Sequence, residues 1–144
     1  AAGDALIVAT GRRLSAWAAA RGGLAARLGG DEFGVALLLP RAAAVREVLA
    51  LGELLAQPVR HDGQLLRDIE GQILHPAVSI GIARVSDLPD AAGASRILRG
   101  ADTAMYQVKT GQQPLGYVAT RQDAYAPAVH GRRPGRPGTH LPAA

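Results

Sequence analysis

A glycine-rich acidic turn between two apolar segments is the feature that most restricts how this chain folds. The segment Gly29-Gly30-Asp31-Glu32 separates residues 24–28 from residues 33–39, and Pro40 follows the second apolar run. Apolar segments joined by a short turn of glycine and acidic residues favour a β-hairpin. The sequence therefore predicts two antiparallel strands, over residues 24–28 and 33–39, with two adjacent carboxylates at the tip.

Helical patterns flank this hairpin. Apolar residues recur at helical spacing in three segments, which predicts helices over residues 4–21, 41–56 and 92–110. Gly22 stops the first of these helices and Gly111 occupies the position after the last, where glycine is favoured.

Further strands are predicted in the second half of the chain. Alternation of apolar and small residues predicts a strand over residues 78–83, and a short final strand over residues 116–119. The segment His61-Asp62-Gly63 predicts a turn between two short strands. Helices that alternate with strands favour an α/β fold (an α+β sandwich), a sheet with helices on one side.

Composition excludes several classes of protein. The chain has 144 residues, of which 48% are hydrophobic and 3% aromatic, so we expect a folded domain with an aliphatic, alanine-rich core. Cysteine is absent, which excludes disulfides, thiol catalysis and cysteine-ligated metals. The longest strongly apolar run, residues 35–39, is too short to span a bilayer, and no signal peptide is visible. The sequence predicts a soluble, cytoplasmic chain.

Positive charge is concentrated near the end of the chain. The net charge is +4, and residues 116–144 contribute +3 of it. Arginine, glycine and proline dominate there, which predicts a disordered tail over residues 120–144 after a domain over residues 1–119. Nucleic acid is therefore not an expected partner of the domain, and binding of nucleic acid by the tail is a third, lesser hypothesis.

Four charged residues, Asp4, Asp31, Glu32 and Lys109, suit either a structural or a functional role. Asp31 and Glu32, beside glycines that let a ligand approach the backbone, suit a divalent metal and phosphate; they also suit an exposed type I′ turn with solvated acids. Asp4 has the position of a helix N-cap or first-turn acid. Lys109 has the position of a solvated lysine in the last turn of a helix.

Four segments, one of them the acidic turn, form a longer pattern along the chain. Residues 29–33 are Gly-Gly-Asp-Glu-Phe, residues 3–7 are Gly-Asp-Ala-Leu-Ile, residues 79–83 are Ser-Ile-Gly-Ile-Ala, and residues 98–109 are Leu-Arg-Gly-Ala-Asp-Thr-Ala-Met-Tyr-Gln-Val-Lys. In this order they resemble the motifs of the GGDEF family, the diguanylate cyclases. The resemblance covers roughly residues 1–113.

The resemblance implies a fold and a reaction. The fold is a ferredoxin-like palm, as in nucleotidyl cyclases and polymerases. The reaction condenses two GTP molecules into cyclic di-GMP, with Mg²⁺ or Mn²⁺ as cofactor. Each domain supplies half of the site, so the family's chemistry requires a homodimer.

The resemblance also implies roles for single residues. Asp31 and Glu32 match the acids that bind metal and take part in catalysis. Gly29 and Gly30 match glycines against which the nucleotide lies. Asp4 matches an acid that accepts hydrogen bonds from the guanine edge, and Lys109 matches a lysine that contacts the terminal phosphates.

Two departures from the family pattern bear on activity. The family's first strand, with a metal-binding aspartate, and the asparagine segment after it have no counterpart in residues 1–144. That strand is central in the family's sheet, so its absence predicts an open edge on the strand at residues 33–39. Gln113 stands where the family has an arginine. We therefore expect residues 1–144 alone to be inactive; the alternative is a degenerate module that binds GTP, cyclic di-GMP or a protein partner without catalysis.

Overall fold

The computed structural model describes residues 2–88 and 93–126, which combine helices with small antiparallel sheets. The helices are α1 (Ala2–Ala19), α2 (Ala44–Leu55), α3 (Ala94–Lys109) and α4 (Arg121–Tyr125). Strands β1 (Leu24–Gly29) and β2 (Glu32–Ala36) form one hairpin, and β3 (Arg60–His61) and β4 (Gln64–Leu65) form another. The predicted mixed α/β class is confirmed. The chain divides between Ser79 and Ile80 into two compact units.

The three predicted helices are present, with small shifts at their ends. Helix α1 ends where the backbone N–H groups of Gly22 and Gly23 donate hydrogen bonds to the carbonyls of Ala19 and Ala18, a common way to satisfy the last carbonyls of a helix. A 3₁₀ turn at Arg41–Ala43 precedes α2. Gly111 follows α3 with a φ of 73°, in agreement with its predicted place.

The first unit packs α1 against α2 and against the β1–β2 hairpin. Two arginines of α1 tie these elements together. Arg21 forms a salt bridge of 2.7 Å with Glu47 of α2, and Arg13 donates hydrogen bonds to three carbonyls at the end of α2 and just beyond. The buried side chains of this unit include Leu14, Trp17, Ala18, Val48, Leu51, Leu55 and Val59.

Strand β2 is shorter than the sequence predicts. It ends at Ala36, not at residue 39, and Leu38 is 94% exposed. Within the described residues β2 pairs only with β1, as the predicted open edge requires. Without a second partner the hydrogen bonds that would hold residues 37–39 in a strand are not made.

The predicted strands of the second unit do not form. Residues 78–83 and 116–119 contribute one isolated parallel bridge, between Ile82 and Val118. The backbone of Gly81 lies against α3, and single bridges are too few for a stable strand. The most buried residues of α3 are Gly100, Thr103 and Ala104, whereas Ile97, Ala101, Met105 and Val108 are half-buried.

Ordered structure continues past the predicted boundary at residue 119. Thr120 caps α4 through a reciprocal pair of hydrogen bonds with Asp123, and α4 packs against α3. The rest of the predicted tail, from residue 127 onward, lies outside the described residues. Within the described ranges no helix has the length and apolar character needed to cross a bilayer.

Candidate functional site

The acidic turn forms the tip of the β1–β2 hairpin. Gly29 pairs with Glu32 across the ladder, which leaves Gly30 and Asp31 as the two turn residues. A bulge between Arg27 and Gly29 shifts the register, and bulges redirect side chains at such positions. Asp31 is exposed and Glu32 is half-buried. The two acids are therefore consecutive in the chain at the hairpin tip, and Asp31 is the more exposed of the two.

The turn is not of the type I′ proposed in the simpler interpretation. A type I′ turn needs positive φ at both central residues. Gly30 has a φ of 52°, but Asp31 is not among the residues with positive φ. The second hairpin differs, because Asp62 and Gly63 have φ values of 50° and 77°. The Gly30-Asp31 turn therefore has one residue with positive φ, whereas the Asp62-Gly63 turn has two.

Arg27 holds the carbonyl of the turn. Its Nε and Nη2 atoms donate hydrogen bonds of 2.9 and 2.7 Å to the carbonyl oxygen of Gly30. Sequence reasoning missed this contact, although an arginine three residues before a turn glycine is a usable signal for it. The contact restrains the peptide that leads directly into Asp31.

A groove runs between α1 and the hairpin. It has a volume of about 490 Å³ and is lined by Ile7, Val8, Gly11, Arg12, Ser15, Arg27 and Phe33. Asp4 lies in the first turn of α1, the helix that forms one wall of the groove. It is therefore a first-turn acid and not the N-cap. The groove is mixed in character, with apolar walls and two arginines.

The donor chemistry of the turn fits part of a magnesium site. Asp31 and Glu32 offer carboxylate oxygens, and Mg²⁺ is commonly held by one or two carboxylates together with substrate phosphates. Within residues 2–88 and 93–126 no group of three or more acidic or histidine side chains could hold a metal. A cation bound at these two residues would therefore need phosphate and water oxygens to complete its coordination.

Lys109 lies in the last turn of α3 and is exposed. It is the sole lysine of the chain and belongs to the second unit, whereas Asp4, Gly29, Gly30, Asp31 and Glu32 belong to the first. The backbone N–H groups of Gln112 and Gln113 both donate to the carbonyl of Gln107, which closes the helix end beside Lys109. The roles assigned to these residues by resemblance stay predictions.

Asp123 organises the second unit and was not singled out from the sequence. The residue is 7% exposed. Its carboxylate accepts hydrogen bonds from the Gln107 amide at 2.8 Å, the Tyr117 hydroxyl at 2.8 Å, and the Thr120 backbone N–H and hydroxyl at 2.7 and 2.9 Å. One buried carboxylate thus joins α3, α4 and the segment between them.

These contacts shift two pKa values. Burial raises the pKa of the Asp123 carboxyl, but hydrogen bonds from Thr120, Tyr117 and Gln107 outweigh burial and leave it below its ordinary value. Burial, then the hydrogen bond and charge of Asp123, raises the pKa of Tyr117. The carboxylate is therefore ionised and the phenol protonated at neutral pH.

Comparison with known families matches residues 1–114 to the family described as diguanylate cyclase, GGDEF domain. Diguanylate cyclase DgcP of Escherichia coli K12 is 34% identical over 128 residues, 89% of this chain and 33% of that protein. An uncharacterized 19.3 kDa protein in the repSA 5′ region of Streptomyces ambofaciens is 42% identical over 109 residues, 76% of this chain and 52% of that protein.

An uncharacterized signaling protein of Caulobacter vibrioides is 39% identical over 111 residues, 75% of this chain and 12% of that protein. The chain thus spans about half the length, or less, of the curated relatives it matches. No solved structure matches the chain.

Proposed function

This chain belongs to the GGDEF-domain family, and we propose that the complete protein condenses two GTP molecules into cyclic di-GMP in the cytoplasm. The observation that carries the proposal is the hairpin tip, which brings Asp31 and Glu32 to consecutive positions, the first exposed and the second half-buried. The palm fold of nucleotidyl cyclases is part of this proposal. The helix–hairpin–helix order of the first unit is consistent with it.

The reaction needs a charge-stabilising site and a proton acceptor. The 3′-hydroxyl oxygen of one GTP attacks the α-phosphorus of the other, a new P–O bond forms, and the bond to the β-phosphate oxygen breaks as pyrophosphate leaves. The second condensation repeats this step and closes the ring. Bound Mg²⁺ or Mn²⁺ supplies Lewis-acid stabilisation of the phosphoryl oxygens.

The residues of this chain divide the remaining tasks. Asp31 and Glu32 would hold the cation, and one of these carboxylates would accept the proton of the attacking hydroxyl. Gly29 and Gly30 have no side chains, so a nucleotide can lie close to the backbone. Asp4 accepts hydrogen bonds from the N–H groups of guanine, and Lys109 pairs with the outer phosphates as a point charge.

A homodimer is the second part of the proposal. Each domain holds one GTP, and the two nucleotides must face each other for the 3′-hydroxyl of one to reach the α-phosphate of the other. Positioning two substrates in this way is itself a large source of rate. We therefore expect product formation to rise with the fraction of dimer.

A second candidate is a module that binds GTP or cyclic di-GMP, or a protein partner, without turnover. It is favoured by Gln113, which stands where the family has an arginine, and by the need of a cation at Asp31 and Glu32 for further oxygen ligands. For the same reason we expect residues 1–144 alone to form no product, because catalysis depends on several fixed ligands around the cation.

Measurements of product formation and of nucleotide binding separate the two candidates. The complete protein is incubated with GTP and Mn²⁺, and product is quantified by chromatography, with Asp31→Asn as the inactive control. Cyclic di-GMP from the wild type and none from the variant supports the cyclase. Saturable binding of GTP or cyclic di-GMP by calorimetry, with no product, supports the non-catalytic module.

A further inference from the structure

Arg27, close to the acidic turn, makes contacts that exceed what pairing of the strands requires. We propose that Arg27 is a positioning residue, which holds the peptide between Gly30 and Asp31 and so directs the Asp31 carboxylate toward the cation. This inference rests on the proposed function, because it assigns the carboxylate a target. Arg27 itself touches no reacting atom.

The geometry of the contact restrains a whole peptide plane. Two nitrogens of the Arg27 guanidinium, Nε at 2.9 Å and Nη2 at 2.7 Å, converge on the carbonyl oxygen of Gly30. That oxygen and the N–H of Asp31 belong to the same planar peptide, which is trans. Fixing the oxygen therefore fixes the direction of the Asp31 N–H, and with it the start of the Asp31 side chain.

The turn needs such a restraint because of its composition. Gly29 and Gly30 are adjacent, and glycine occupies positive and negative φ values with similar ease. Gly30 adopts a φ of 52°, one of several values open to it. A pair of glycines before a catalytic acid lets a nucleotide approach, but it also leaves the acid poorly oriented unless another group holds the backbone.

The same kind of contact recurs at two other turns of the chain. Arg60 donates through Nη1 to the carbonyl of Gly63 at 2.9 Å, and Arg67 donates through Nη1 to the carbonyl of Gly71 at 2.6 Å. Each uses one nitrogen, whereas Arg27 uses two. Arg60 lies on β3, before a turn with no role in the proposed reaction, and so provides a matched structural control.

The position of Arg27 also allows a competing role. Its side chain is exposed and lines the groove together with Arg12 of α1. An arginine in such a groove could instead bind a nucleotide phosphate directly. A positioning role lowers kcat, because the acid is misdirected in the transition state, whereas direct substrate binding raises KM.

The test compares Arg27→Ala and Arg27→Lys with the controls Arg60→Ala and Arg67→Ala, whose arginines contact the other two turns. Steady-state kinetics with GTP and Mn²⁺ are measured on the complete protein. Backbone NMR order parameters of Gly30 and Asp31 are measured on the chain of 144 residues without nucleotide. Lysine keeps the charge but cannot reproduce the two-nitrogen fork.

We expect Arg27→Ala to lower kcat about 10- to 100-fold with KM changed less than about threefold. Arg27→Lys should fall between wild type and alanine, and both controls should stay within about twofold of wild type. The order parameters of Gly30 and Asp31 should fall from about 0.85 toward 0.6 in Arg27→Ala. They should be unchanged in Arg60→Ala.

Two results would overturn the inference. The first is a raised KM with unchanged kcat, which would make Arg27 a substrate contact. The second is an unchanged order parameter at Gly30 and Asp31 in Arg27→Ala. If the wild-type protein makes no cyclic di-GMP, the proposed function fails, but the order parameters still decide whether Arg27 restrains the turn.

Discussion

The two compact units fill their interiors in different ways. The first unit buries several large side chains between two long helices, whereas the buried residues of the second unit are mostly small and include one carboxylate. Buried positions of the first unit include Leu14, Trp17, Val48, Leu51 and Leu55; those of the second include Thr103, Ala104, Ala119, Asp123 and Ala124.

Because of this difference, we expect substitutions in the acidic turn of the first unit to change activity without changing stability. Substitutions in the interior of the second unit should change stability. The acidic turn of the first unit lies outside its core, so its side chains can change without loss of packing. In the second unit one added methyl group, or one lost acceptor, disturbs contacts that several elements share. Variants of the acidic turn should therefore lose activity but keep their free energy of unfolding, whereas variants of the second unit's interior should lose free energy of unfolding.

The largest expected effect is that of Gly81→Ala in the second unit. A Cβ atom at residue 81 would collide with the carbonyl oxygen of Ala101 and the backbone nitrogen of Met105, and a helix backbone cannot yield as a flexible side chain does. We expect a loss of about 3 kcal/mol in the free energy of unfolding, measured by urea denaturation.

The control for this variant is Gly3→Ala in the first unit. A Cβ atom at residue 3 of α1 would have no neighbour within 4 Å, so alanine should be neutral or stabilising by roughly 0.5–1 kcal/mol. An unchanged urea midpoint for Gly81→Ala would contradict the close approach of the backbone at residue 81 to α3.

Asp31→Asn, in the first unit, should lower activity without lowering stability. Neutralising this carboxylate removes a metal ligand from the proposed site, so cyclic di-GMP formation by the complete protein should fall by at least about 100-fold. The free energy of unfolding should change by less than about 0.5 kcal/mol, because Asp31 is exposed. Chromatography and thermal denaturation on one preparation measure both quantities.

Asp62→Asn, at the tip of the β3–β4 hairpin, is the matched control. It removes an equally exposed acid from a turn of similar composition and should leave activity unchanged. Equal losses of activity in Asp31→Asn and Asp62→Asn would assign the effect to net charge rather than to the acidic turn.

Asp123→Ala should destabilise the second unit by about 2–3 kcal/mol. It leaves the hydrogen-bond donors of Gln107, Tyr117 and Thr120 without their acceptor in a buried setting. Asp123→Asn should lose less, because the amide oxygen still accepts. Gln122→Ala, at an exposed position next to it, serves as the control, and a Gln122→Ala loss as large as that of Asp123→Ala would refute the role of the network.

The pH dependence of unfolding offers a sharper form of this prediction. The pKa of Asp123 is lowered in the folded chain, so its stabilising contribution is fully present above the unfolded value of about 3.9. That contribution is lost as the pH falls through the folded pKa. Wild type should lose more stability between pH 7 and pH 3 than Asp123→Asn, and parallel curves for the two proteins would contradict the assignment.

The smallest expected effect is that of Lys109→Ala on nucleotide affinity. If Lys109 pairs with the outer phosphates, the variant should bind GTP about tenfold more weakly, while the affinity for GMP should hardly change. Calorimetry with both nucleotides measures this, and Arg99→Ala on the same helix controls for charge. Equal losses for GTP and GMP would point to a structural role for the last turn of α3.

Local signals predicted most of the secondary structure. The β1–β2 hairpin, the turn at Asp62-Gly63 and all three long helices lie where turn residues, apolar periodicity and terminal glycines placed them. Each of these signals acts over a few residues, so the sequence carries it without knowledge of the rest of the fold. The acidic turn of the candidate site was predictable for the same reason.

Strands without a local partner were not predictable in this way. Residues 78–83 alternate as a strand does, yet they form one bridge, at Ile82, and residues 37–39 do not extend β2. Alternation shows only that a segment could be half-buried in a sheet. Whether it becomes a strand depends on a neighbouring backbone to complete its hydrogen bonds.

The position of two carboxylates at a glycine-rich hairpin tip could be predicted from the sequence, because turn residues and family motifs are short runs of consecutive residues. The contacts that hold the second unit together follow only from its tertiary structure. Arg27 lies three residues from Gly30, so its contact with the turn has a local signal, whereas Asp123 meets Gln107, 16 positions away, only when α4 has packed on α3. Contacts of this kind depend on where folded elements meet, which no local pattern of residues specifies.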